Sequence, residues 1–95
     1  MDLNEEIRRV NDEIEDMEND VLTSKLAYEE EKAKLWVECD FPTAIGIAKP
    51  TVAQKESYVK LETLHLKERV EQGEIILNAR KRLFAILLRE LGDKE

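Results

Sequence analysis

Both prolines of this 95-residue chain, and one of its three glycines, fall in the single stretch from Cys39 to Thr51, Cys-Asp-Phe-Pro-Thr-Ala-Ile-Gly-Ile-Ala-Lys-Pro-Thr. Proline has no amide hydrogen to donate and pushes the residue before it out of the helical region, so no helix runs unbroken through Pro42 and Pro50. The sequence on either side is nearly free of breakers and helical in pattern. The stretch therefore reads as a hinge, residues 40–50, between two long helices, residues 2–39 and 51–91, of one domain spanning 1–95. With 39% charged, 42% hydrophobic and only 5% aromatic residues, the composition also favours amphipathic helices over sheets. The expected fold class is all-α, a hairpin of two long antiparallel helices.

In the first segment Leu3, Ile7, Val10, Ile14, Met17 and Val21 recur at alternating steps of four and three, which is the seam of a heptad pattern. Between these rungs lie Glu5, Glu6, Asp12, Glu13, Glu15, Asp16, Glu18 and Asp20, read as a solvated acidic surface. The second segment opens on Thr51-Val-Ala-Gln54, the form of a capping box, and Gly92 is a candidate stop. Its seam runs through Val52, Glu56, Val59, Thr63, Leu66, Val70, Gly73, Leu77, Arg80, Phe84, Leu87 and Leu91. At a rise of about 1.5 Å per residue the two segments come to roughly 57 and 60 Å, so they match in length. An antiparallel register that sets Val10 on Phe84, Met17 on Leu77 and Val21 on Gly73 keeps both seams facing throughout. Charge agrees: residues 1–39 carry 13 acids against 5 bases, residues 51–95 carry 8 against 9.

A second apolar ladder, Ile76, Ala79, Leu83 and Ile86, lies beside the seam, with Ile75 and Leu88 at its borders. Together with Phe84 and Leu87 it makes an apolar sector too wide for one facing helix to cover. The expectation is a homodimer in which two hairpins form a four-helix bundle through Ile76, Ala79, Arg80, Leu83, Phe84, Ile86 and Leu87; the alternative keeps that face for another protein. Arg80 interrupts the sector, and its long stem allows the head group to reach Glu13 of the first helix. Trp36, Phe41, Ile45 and Ile47 gather at the hinge end, either as a small apolar cap over the bundle or as an apolar tip for a partner, the cap being the preferred reading.

No catalytic serine or cysteine arrangement and no phosphate-binding loop occurs, so neither an enzyme nor a cofactor is expected. Glu62-Thr-Leu-His65 has the Glu-x-x-His form used by di-iron helical bundles, with Glu31 at the same level of the first helix. Lys32 and Arg69 lie close by, so metal binding is not the favoured reading. A net charge of −7 argues against direct nucleic-acid binding and against anionic membranes. It permits instead an acidic decoy that imitates DNA phosphates in front of a nuclease or another DNA-binding protein. The single cysteine, Cys39, and the lack of a long apolar run or a signal-like start point to a cytoplasmic protein.

The run Lys49-Pro-Thr-Val-Ala-Gln-Lys-Glu-Ser-Tyr-Val-Lys-Leu-Glu-Thr63, followed by a long charged helix, resembles the small helical-hairpin proteins encoded among the early replication and recombination genes of tailed phages of Gram-positive bacteria. The resemblance covers the hinge and the second helix. It implies an accessory protein that works in the host cytoplasm by binding, and by inhibiting, a host or phage protein of replication, recombination or defence. It assigns no role to an individual residue.

Overall fold

In the computed structural model, which describes residues 2–94, Asp2 starts the first helix: its Oδ1 accepts from the Glu5 amide at 2.7 Å, and Glu5 and Glu6 complement the positive end of the helix dipole. Helix α1 then runs without interruption over Leu3–Glu38. The hinge is not bare loop. Pro42 sits in the first turn of a short helix α2, Phe41–Ile45, where a missing amide donor does no harm. Thr43 Oγ1 donates to Asp40 Oδ2 at 2.7 Å, and Gly46 ends the turn at φ 82°, a left-handed conformation that glycine adopts without a steric penalty.

The capping box forms as the sequence implies. Thr51 Oγ1 accepts from the Gln54 amide at 3.2 Å, while Gln54 Oε1 accepts from the Thr51 amide at 2.8 Å. Helix α3, Val52–Glu62, starts there. The expected single second helix is in fact two, because Thr63 separates α3 from α4, Leu64–Lys94. Thr63 is fully buried, and both its amide, at 3.0 Å, and its hydroxyl, at 2.7 Å, donate to the Val59 carbonyl. A threonine hydroxyl bonded back to the preceding turn bends a helix, and Thr63 leaves the regular helical region at φ −105°, ψ 5°. Gly92 does not act as a stop either, since α4 carries on through it to Lys94.

Helix α1 lies antiparallel along α3 and α4 in a body measuring 70 × 17 × 15 Å. Its core is Val10, Ile14 and Val21 of α1 against Leu77 and Leu87 of α4, flanked by Leu3, Ile7, Met17, Leu83 and Phe84. The register sets Val21 on Gly73 closely enough that a Cβ on the glycine would lie 3.1 Å from Val21 Cγ2. Among the described residues three ion pairs cross between the helices: Glu13 with Arg80 at 3.5 Å, Glu18 with Lys81 at 3.5 Å and Lys25 with Glu74 at 2.9 Å. At the hinge end Phe41, 6% exposed, is enclosed by Trp36 with ring centroids 5.5 Å apart and by Tyr58 edge-on at 6.1 Å. Lys55 Nζ stands 5.5 Å from the Phe41 ring, and Ile47 is left outside this cluster. No helix among the described residues is long and apolar enough to cross a membrane.

Candidate protein-docking surface

Steps of three, four and three place Ile76, Ala79, Leu83 and Ile86 in one stripe of α4, beside and not within the row that packs on α1. Ile76 is 54% exposed and Ile86 50%, Ala79 is exposed and Leu83 is half-buried at the edge of the core. The structure thus divides the residues that the sequence assigns to one contact surface. Leu87, 5% exposed, belongs to the core of the hairpin itself, and Phe84 packs against that core. Arg80 is half-buried and turned toward α1, with Nη1 3.5 Å from Glu13 Oε2. At that distance the charges attract, but no hydrogen bond forms: Glu13 Oε2 is shielded from solvent and has no hydrogen-bond partner, while Glu13 Oε1 accepts from Arg9 Nη1 at 3.0 Å. What remains available for docking is Ile76, Ala79, Ile86 and the outer edge of Leu83.

The stripe opens onto one side face of the hairpin. At its hinge-ward end Ile76 and Met17 border an open notch of about 320 Å³, floored by Val21 and Gly73 and walled by Ser24, Asp20 and Arg69. On the α1 side of the same face Glu6, Glu13 and Asp20 recur every seventh residue, which keeps them in one line along the helix. Asp20 lies in the notch and Glu13 reaches Arg80, so this acidic line runs beside the aliphatic stripe. On the opposite face Glu74 and Lys81, on the far side of Leu77, are engaged by Lys25 and Glu18, much as Glu13 on this face is engaged by Arg9 and Arg80. The sequence reading treats these acids as general solvated charge. Their seven-residue spacing is the signal that sets them apart.

Comparison with protein-family models, with curated proteins and with solved structures finds no match.

The candidate metal residues do not assemble. His65 is exposed and lines an open depression with Glu30 and Glu31, but Lys34 stands in the same depression and Glu62 takes no part in its lining. Among the described residues no three His, Cys, Asp or Glu side chains come together in a group that could hold a metal ion. Lys32 is engaged elsewhere, 3.6 Å from Glu29 and 4.7 Å from the Tyr28 ring centroid, and Arg69 borders the notch. Near the hinge, partial burial, then the charge of Glu62 and then that of Cys39, raise the Tyr58 phenol above its ordinary pKa of 10.0. Tyr58 packs edge-on against Phe41, which gives it a structural role in the cap.

Proposed function

We propose that this chain is a non-enzymatic, protein-binding helical hairpin whose contact surface is the α4 stripe of Ile76, Ala79, Leu83 and Ile86. One observation carries the reading: a straight row of aliphatic side chains, half in water, on a face that none of the other described residues covers. This mode of action suits the phage accessory proteins that the second half of the chain resembles. The partner is then a host or phage protein of replication, recombination or defence, met in the host cytoplasm.

A second reading has the acidic line as its support. Glu6, Glu13 and Asp20, with their neighbours, would stand in for DNA phosphates before a nuclease or another DNA-binding protein. The two readings differ in what binding depends on, since apolar docking survives salt and phosphate mimicry does not.

The experiment is affinity capture from a bacterial lysate with the intact chain and, in parallel, with Ile76→Asp and Ile86→Asp as bait. Both isoleucines are exposed, so the variants keep the fold. Proteins retained by the intact chain and released by both variants support the stripe. Equal retention by all three baits refutes it, and retention that vanishes only at raised salt favours the phosphate mimic.

A further inference from the structure

We infer that the hairpin is built as two cooperative units joined at a weak waist, so that its hinge end opens while its distal end stays folded. The apolar interior is divided. Val10, Ile14, Val21, Leu77 and Leu87 form one buried cluster at the distal end. Phe41 and Val59 are buried too but lie outside that cluster, and Phe41 packs instead with Trp36 and Tyr58. Between the two cores the register set by Val21 on Gly73 brings Ser24, Tyr28 and Glu31 level with Val70, Leu66 and Thr63. Of these six residues only Thr63 is buried, and its hydroxyl is bonded within its own helix, to the Val59 carbonyl.

Water reaches this waist on both flanks. An open depression of about 610 Å³ lies where Glu31 and Lys34 meet His65 and Leu66, and another of about 240 Å³ lies where Tyr28 and Lys32 meet Lys60 and Thr63. The ion pairs follow the same division. Among the described residues those that cross between the helices join Glu13, Glu18 and Lys25 to Arg80, Lys81 and Glu74, and none lies nearer the hinge. The cost of opening the hinge end is therefore local. Helix α1 is unbroken, so its residues 22–38 stay helical as an extension of a helix that the distal core has already nucleated. On the other side Thr63 has already left the regular helical region, so α3 detaches at a break that the folded chain contains. Within α3 only Val59 is buried, and a segment with so few buried apolar residues opens at a lower free energy than the whole. Opening bares Phe41 and Val59, while the stripe of Ile76, Ala79, Leu83 and Ile86 belongs to the distal unit and stays formed whatever it binds.

Trp36 is the sole tryptophan and packs on Phe41, so its fluorescence reports the hinge end alone, whereas far-ultraviolet circular dichroism reports the helices of the whole chain. In urea the fluorescence midpoint of the intact chain is expected to fall below the dichroism midpoint. In native-state hydrogen exchange the amides of residues 56–62 are expected to exchange at least about tenfold faster than those of residues 80–87. Phe41→Ala should speed exchange at residues 56–62 further and leave residues 80–87 as in the intact chain. A single transition shared by both probes overturns the inference. So does exchange in Phe41→Ala that accelerates equally at both ends, since the chain then unfolds as one unit.

Discussion

Replacing Gly73 with alanine puts two effects of known size in opposition where α4 faces Val21 of α1. Alanine is favoured over glycine inside a helix by about 1 kcal/mol. Against this, the new Cβ would stand 3.1 Å from Val21 Cγ2, well inside the usual contact distance. Val21 cannot easily turn away, because it is buried and a valine on a helix has one strongly preferred rotamer. The strain of an extra methyl in a packed site is about 1–3 kcal/mol. The clash therefore outweighs the propensity, and Gly73→Ala is expected to destabilise the chain by about 1 kcal/mol. With Val21→Ala already in place the obstructing methyl groups are gone, and the same substitution should stabilise by about 1 kcal/mol. The sign reverses between the two backgrounds. Urea unfolding of the four proteins, followed by circular dichroism, closes the cycle and should give a coupling of about 2 kcal/mol. Stabilisation by Gly73→Ala in both backgrounds, with a coupling below about 0.5 kcal/mol, would mean that Val21 does not face Gly73. The register of the hairpin would then be wrong.

Four further outcomes are expected. Phe41→Ala should cost about 3 kcal/mol, because it empties the site between Trp36 and Tyr58, and Trp36 fluorescence should shift to the red as water enters. Thr63→Ala should destabilise by about 1 kcal/mol in urea unfolding: it loses a buried hydroxyl bond and a methyl group, partly offset by alanine's better helix propensity. Because the folded state raises the Tyr58 pKa, the associated stability is present below the unfolded value of 10.0 and falls as pH rises through the folded value. Absorbance titration of the phenol should show the late ionisation, and Tyr58→Phe should remove that alkaline loss. Ferrous iron should leave the melting temperature of the chain and of His65→Ala equally unchanged, and elemental analysis of protein purified without chelators should find no stoichiometric metal.

The register was open to reading from the sequence because a heptad seam carries its own ruler. Once Val21 is set on Gly73, the seven-residue repeat fixes how far Glu13 lies from Arg80, and the structure places those two 3.5 Å apart. The break at Thr63 left no trace in the apolar pattern. It comes from one hydroxyl that competes for the Val59 carbonyl, and a threonine on a helix face reads the same whether its hydroxyl turns to solvent or back to the preceding turn. Gly92 was misleading for a related reason: glycine ends a helix only where the chain turns into the left-handed region, as at Gly46, and among the described residues only Gly46 does so. The apolar sector of α4 was legible in its width but not in its division. A helical wheel shows that Ile76, Leu83, Phe84 and Leu87 lie in one sector. Which of them enter the core depends on the direction from which α1 approaches, and that direction puts Leu87 inside and Ile76 half in water.

This division bears on function, because it separates what the fold needs from what it does not. The hairpin is held by Val10, Ile14, Val21, Leu77 and Leu87, and polar residues at positions 76, 79 and 86 would leave that core intact. An aliphatic row kept half exposed invites association with any other apolar surface, the chain's own copy included. On the proposed reading the aliphatic row supplies the affinity, and binding through it persists at raised salt.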